Sequence, residues 1–168
     1  YTTLFRSVFL RAADALTRRR EDITHLLALE TGCTRHFAEI QHEFSTSLLR
    51  QAAALPYAST GQVLPSDRPG TQAMALRRPV GVVGAIAPWN APLTLSARAV
   101  AAPIALGNTV VLKPSEEAPV SAGALWAEVF SEAGLPAGVL NVVTHGPGEA
   151  GAIGDELIAN PLVRRINF

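Results

Sequence analysis

The stretch Val80-Gly81-Val82-Val83-Gly84-Ala85-Ile86-Ala87-Pro88-Trp89-Asn90 decides the fold. Its first eight residues, Val80 to Ala87, make an apolar run of strand length, and Pro88 stops it. A small-residue helix containing Pro103 reads from Leu93 to Leu106, followed by a buried strand from Thr109 to Leu112. A helix from Ser121 to Ala133, closed by Gly134, leads to a strand from Val139 to Val143. A helix from Glu149 to Ile158 and a strand from Val163 to Phe168 complete the series. Near-continuous Val, Ile and Leu strands alternating with helices predict an α/β fold, an open parallel sheet covered on both faces.

Upstream, three helices are expected. The first carries Leu4, Val8, Arg11, Ala12, Ala15 and Leu16 on an imperfect 3.6-period face. The second starts at Glu21-Asp22, acidic residues suited to a positive helix end, and stops at Thr31-Gly32. The third runs from Thr34 to Leu55 with Phe37, Ile40, Phe44, Leu48 and Ala52 on one face, and Pro56 ends it. Between Tyr57 and Arg78 the composition turns to Gly, Pro, Ser and Thr; Gln62-Val63-Leu64 and Ala73 to Arg77 read as a hairpin. The organisation is therefore a helical part at residues 1–56, a hairpin or bridging segment at 57–78, and a βαβ core at 79–168.

Composition narrows the classes of function. The 168 residues are 48% hydrophobic and 17% charged, which suits a well-buried domain and argues against disorder. Net charge is zero, without the basic excess that nucleic-acid binding favours. The window from Ala99 to Leu112, broken by Pro103 and Gly107-Asn108, is too short for a membrane span. Cys33 stands alone, so no intrachain disulfide forms, and a reducing, cytoplasmic setting is expected. Lys113 is the one lysine beside thirteen arginines. The chain lacks an initiator Met and stops directly after a strand-like run, so both ends read as cuts.

In open parallel sheets, ligands bind beyond the carboxyl ends of the strands. Three successive strand ends here carry unusual residues. Ala87-Pro88-Trp89-Asn90-Ala91-Pro92 follows the first, Lys113-Pro114-Ser115-Glu116 the second, and Thr144-His145-Gly146-Pro147-Gly148 the third. A carboxylate just past a strand can accept hydrogen bonds from a ribose diol, and a neighbouring lysine can donate to the same hydroxyls. The residues equally fit an exposed Lys113/Glu116 pair opening the next helix. Gly146 and Gly148 would let backbone amides and a helix end approach a pyrophosphate, with Gly151 and Gly154 easing close approach; a plain loop fits as well. Asn90, held between Pro88 and Pro92, can donate to a developing oxyanion. It can also merely cap the next helix, and Trp89 can be a structural plug. No full Gly-x-Gly-x-x-Gly follows a strand; Gly81 and Gly84 lie inside one, where they ease packing.

The stretch from Val80 to Pro92, then Gly107 to Glu116, then Glu132 to Val143, is similar in order and spacing to the aldehyde dehydrogenase superfamily. Weaker similarity covers essentially the whole chain. The resemblance implies a fragment of that family's NAD-binding domain, with N-terminal helices beside an open parallel sheet. By the same resemblance Asn90 is the oxyanion donor, and Ile86, Ala87, Pro88, Trp89 and Asn90 line the cofactor site. Lys113 and Glu116 hold the adenosine ribose with Ser115 nearby, Gly146 and Gly151 match the pyrophosphate glycines, and Phe168 matches an aromatic before a Thr-Gly-Ser turn. The family's nucleophilic cysteine and general-base glutamate lie past that turn, outside this chain. Cys33 sits in the helical part, outside the family's cysteine motif, and reads as a packed residue.

The implied reaction is NAD(P)-dependent oxidation of an aldehyde to a carboxylic acid by the full-length parent. Gln62 to Asp67, Ala91 and Arg164 to Phe168 resemble the branch acting on aromatic aldehydes of the benzaldehyde, vanillin or salicylaldehyde type. Glu116 favours NAD, because a carboxylate repels a 2′-phosphate; a swung side chain leaves NADP open. The family forms homodimers and homotetramers, with the hairpin region helping to bridge subunits. The competing readings are a non-catalytic dinucleotide-binding or structural module and an acylating aldehyde dehydrogenase. No metal is expected: Glu39-x-x-His42 has di-iron spacing but lacks a second such motif, and His36, Glu39, His42 and Glu43 read as a solvated helix face. The Gly-x-Ser-x-Gly of a serine hydrolase is absent from the sequence.

Overall fold

The computed structural model describes residues 2–58 and 61–168. Helix α1 spans Thr2–Arg18, α2 Arg20–Thr31 and α3 Arg35–Ala52, with a single turn, α4, at Leu55–Ala58. Strands β1 (Gln62–Leu64) and β2 (Ala73–Ala75) pair antiparallel as the expected hairpin, Val63 opposite Met74. Then come β3 (Val82–Ala87), α5 (Pro92–Ala105), β4 (Thr109–Pro114), a π-helical turn (Val120–Ala124) running into α6 (Leu125–Glu132), β5 (Leu140–Val142), α7 (Ala150–Ala159) and β6 (Val163–Asn167).

The main sheet is parallel, in the order β5-β4-β3-β6. The chain steps outward from β3 to β4 to β5, then crosses back to β6. Right-handed crossovers therefore place α5 and α6 on one face and α7 on the other. A Cβ on Gly84 would meet Ile166 Cδ1 at 2.9 Å and Leu157 Cδ2 at 3.3 Å, so α7 and β6 press directly on that glycine. Close packing explains Gly84 as expected. Gly81 differs: it precedes the strand, at a φ of 114° that favours glycine. The second face carries α7 alone rather than a full layer, because only one crossover of the described residues returns on that side.

Behind α5 and α6 lies the helical part, sharing one hydrophobic cluster with the sheet. The buried face of α1 is Phe5, Val8, Phe9, Ala12, Ala13, Ala15 and Leu16. Leu4 and Arg11, expected on it, are exposed, and Arg11 Nε instead donates to the Ala133 carbonyl at 2.8 Å. The face is turned toward the two phenylalanines because they bury the most apolar area; Phe9 meets Phe130 edge to face at 5.5 Å. Helix α2 ends as expected at Gly32, which adopts φ 69° and donates its N–H to Ala28 O.

Helix α3 departs further from expectation. Thr34 caps it, accepting from the Phe37 amide, but its buried positions are Ala38, Gln41, His42, Ser45, Thr46, Leu49 and Ala52. Phe37 and Phe44 face outward, Phe44 with 60% of its surface exposed. Small and polar residues let α3 lie close between α1, α2 and α5, and the hydroxyls there bond to its backbone carbonyls. Ser45 Oγ donates to Gln41 O, Thr46 Oγ1 to His42 O, and Thr94 Oγ1 on α5 to Gln41 O. His42 is buried with Nε2 at 2.7 Å from Leu16 O, so it leaves the solvated face on which it was expected. Among the described residues no cluster of three His, Cys, Asp or Glu side chains could hold a metal, and no helix is long and apolar enough to cross a membrane.

Candidate functional site

The carboxyl ends of β3, β4 and β5 lie side by side because Ala87 pairs with Pro114 and Leu112 with Val142. The three unusual loops therefore converge on one edge of the sheet. Their side chains divide into two groups.

At the β4 and β5 ends the polar groups are under cover. Lys113 is only 6% exposed, and its Nζ donates to the Pro114 carbonyl at 3.3 Å. An ammonium has three protons, so this one long bond leaves most of its donor capacity unused. Ser115 Oγ accepts from the Glu117 amide at 3.3 Å. The Glu116 side chain is 27% exposed, and its Oε2 lies 3.5 Å from Nε2 of His145, whose own side chain is 2% exposed. No ion pair joins Lys113 to Glu116 among the described residues, and neither side chain is free in solvent. The exposed Lys/Glu pair therefore does not form: the β4 register carries Lys113 inward opposite Ile86.

The loop geometry depends on what lies behind it. Gly123, in the π-helical turn, packs so tightly that a Cβ would sit 2.8 Å from Pro114 Cγ and 3.0 Å from Val142 Cγ1. Glu30, at the end of α2, accepts from the Val120 amide at 2.7 Å and the Ser121 amide at 2.8 Å. A carboxylate thus caps this helix start from a different element, satisfying orphan donors at its positive end. Glu30 was visible in sequence only as a helix residue, since no local spacing announces a cap supplied from ninety residues away. Asn108 was missed likewise: its Oδ1 accepts from Val80 and Gly81 amides while Nδ2 donates to Pro103 O, tying α5 to the start of β3.

At the β3 end the side chains face outward. Trp89 is 56% exposed, which removes the structural-plug reading. Asn90 is exposed, and Ala91, not Asn90, is the residue at the N-cap of α5, with Pro92 in the first turn. Asn90 therefore does not cap the helix. Ile86 and Pro88 instead border a cavity of about 270 Å³ with Leu95, Arg98, Asn167 and Phe168. A wider cavity of about 470 Å³, by Arg78, Val80, Leu106 and Asn108, reaches toward the amino end of β3 and is remote from the three loops. Chemistry favours the carboxyl edge, where Lys113 keeps unused donor capacity and the buried His145 Nε2 has no hydrogen-bond partner among the described residues. Gly146 and Gly148 lie in the loop before α7, and Gly151 and Gly154 lie on it. A Cβ on any of the four would meet nothing within 4 Å, so none is needed for close packing among the described residues.

Known proteins share this sequence and fold. The sequence profile of the aldehyde dehydrogenase family matches residues 6–168. A vanillin dehydrogenase of Pseudomonas sp. is 48% identical over 163 residues, covering 97% of this chain and 34% of its own length. The crystal structure of an NAD-dependent benzaldehyde dehydrogenase from Corynebacterium glutamicum superposes with a TM-score of 0.92 at 36% identity, over 98% of this chain and 35% of that one. The structure of a glyceraldehyde-3-phosphate dehydrogenase from Methanocaldococcus jannaschii complexed with NADP does so with a TM-score of 0.90 at 33% identity, over 100% and 36%. The chain thus spans about a third of the length of the relatives it matches. Profile, sequence and fold agree over nearly every residue, and the chain belongs to the aldehyde dehydrogenase family.

Proposed function

We propose that these residues are the dinucleotide-holding part of a longer oxidoreductase that converts an aromatic aldehyde to its carboxylic acid. One observation carries the reading: a largely buried ammonium with unused protons, a half-covered carboxylate and an exposed asparagine stand along one carboxyl edge of a parallel sheet. Incompletely satisfied polar groups at that edge fit a polar ligand. The donor set fits a nicotinamide dinucleotide in particular. Lys113 donates to the adenosine ribose and Glu116 accepts from its hydroxyls, with Ser115 beside them. Backbone from Ile86 to Trp89, the loop at Gly146 and the helix at Gly151 line the remainder, and Phe168 borders the cavity by Ile86 and Pro88.

When bound, the cofactor supplies the acceptor for the hydride that leaves the aldehyde carbon. Asn90 stabilises the oxyanion that forms on the aldehyde oxygen, its amide being exposed and uncommitted to a helix cap. In this reading the thiolate and the general base come from outside the chain, and these residues alone oxidise no aldehyde. Glu116 favours NAD over NADP. The aromatic substrate class rests on the similarity to vanillin and benzaldehyde dehydrogenases. Association into dimers or tetramers through the hairpin is supported by its exposed Val63, Leu64 and Met74.

The test measures NAD and NADP binding and oxidation of vanillin, salicylaldehyde and benzaldehyde by the complete polypeptide. Expected are preferential NAD binding, turnover of at least one of these aldehydes, and no turnover by residues 1–168 alone. Absence of dinucleotide binding overturns the reading.

A further inference from the structure

His145 is a buried titratable group that the proposed chemistry leaves unused. Its Nδ1 lies 2.9 Å from the Gly146 carbonyl oxygen. A carbonyl only accepts, so Nδ1 carries a proton. In a neutral imidazole Nε2 is then a bare lone pair. That nitrogen is buried, has no hydrogen-bond partner among the described residues, and faces Glu116 Oε2 at 3.5 Å. An ionised carboxylate also only accepts. Two acceptors facing each other under cover repel, whereas a second proton on the ring turns the contact into an ion pair.

The surroundings leave this charge to act on Glu116. With the imidazole 2% exposed and the carboxylate 27% exposed, solvent screens their interaction only in part. The π-helical turn over Pro114 and Val142 has no charged residue. Lys113 and Glu117 carry the other charges at the β4 end, Glu149 lies on the same loop as His145, and Asp155 and Glu156 are exposed on α7. Among the described residues none of these carboxylates is in ion-pair contact with the ring except Glu116.

We propose that His145 sets the charge at the ribose end of the site, so that discrimination between a 2′-hydroxyl and a 2′-phosphate depends on pH through its imidazole. The inference rests on the placement of the ribose at Lys113 and Glu116 proposed above. With a neutral ring, Lys113 and Glu116 sum to zero, and the carboxylate rejects a 2′-phosphate while accepting from a hydroxyl. With an imidazolium the three groups sum to +1 and that rejection is relaxed. His145 acts through Glu116; it is a positioning and specificity residue, not a catalytic one.

The experiment uses the complete polypeptide and two probes lacking nicotinamide, ADP-ribose and 2′-phospho-ADP-ribose, titrated calorimetrically over about pH 5 to 8, where histidines change charge. Wild type is compared with His145→Asn and His145→Gln. A 2′-phosphate itself gains a proton near about pH 6, equally for all three proteins, so the difference between their pH profiles isolates the ring. The expected result is that preference for ADP-ribose falls on lowering the pH by on the order of tenfold more in wild type than in either variant. Glu116→Gln should weaken both the preference and its extra pH dependence. Identical profiles in wild type and both variants overturn this inference alone. No binding of either probe to wild type at any pH overturns the proposed dinucleotide site itself. Nitrogen NMR of wild-type His145 needs no variant: two protonated ring nitrogens at the acid end support the assignment, and a neutral ring throughout overturns it.

Discussion

The ion pairs of the helical layer and the contact at the strand ends occupy opposite settings. Arg18 with Glu132, Arg19 with Glu128, and Arg20 with Glu43 are all substantially exposed. Arg35 bridges Glu21 and Glu39 in the open, and its guanidinium is held above its ordinary range by the hydrogen bond to Glu39 first and by the charge of Glu21 next. His145 and Glu116 meet under cover. Exposed pairs lose in screening and side-chain ordering most of what they gain, whereas solvent screens a covered contact only in part. Stability of the helical layer therefore belongs to its aromatic and small-residue core. The strand ends hold polar groups under cover whose hydrogen-bonding capacity is only partly used.

The largest expected effect tests the first half of that contrast. Phe9→Ala removes the ring packed edge to face on Phe130 and should cost about 3–5 kcal/mol by urea unfolding of the complete polypeptide. A loss under about 1 kcal/mol would move the stabilising core elsewhere. Glu30→Ala probes the link between the halves. It leaves the Val120 and Ser121 amides without their carboxylate and should cost about 1.5–3 kcal/mol, with Glu30→Gln costing less. If dinucleotide affinity falls too, the cap also positions the β4 loop.

Lys113→Ala tests the second half. Losing charge-assisted bonds worth about 1.5–3 kcal/mol should weaken NAD binding roughly ten- to a hundredfold in a calorimetric titration. The melting temperature of the unliganded protein should move little, because Nζ makes only one long bond at home. A large fall in melting temperature with unchanged affinity would recast Lys113 as a structural residue. The smallest effect is expected of Arg18→Ala, which removes an exposed pair with Glu132 and should change stability by less than about 1 kcal/mol.

The alternation of apolar strands with helices was readable because a doubly covered parallel strand must be apolar nearly throughout. It yielded the parallel sheet, and the hairpin, the Gly32 helix stop and the three strand-end loops were legible in the same way. The buried face of α3 was not legible. Periodicity ranks positions by hydrophobicity, yet close approach to three other helices selects Ala38, Gln41, His42 and Ser45 over Phe37 and Phe44. Local spacing also could not separate a surface Lys113/Glu116 pair from a ligand-facing one. Tertiary structure removed the surface pair, leaving Lys113 opposite Ile86 and under cover.

By itself, then, the sequence determined the family, the kind of sheet and where the strand-end loops fall, because these depend on residue type and order along the chain. Tertiary structure decided which polar groups are covered and which partners they meet. The Glu30 carboxylate reaches two amides of a distant turn, and the His145 imidazole reaches Glu116 across two strand ends. Such pairings depend on distance in space, and charge under cover depends on what excludes water around it; neither is written in any local pattern.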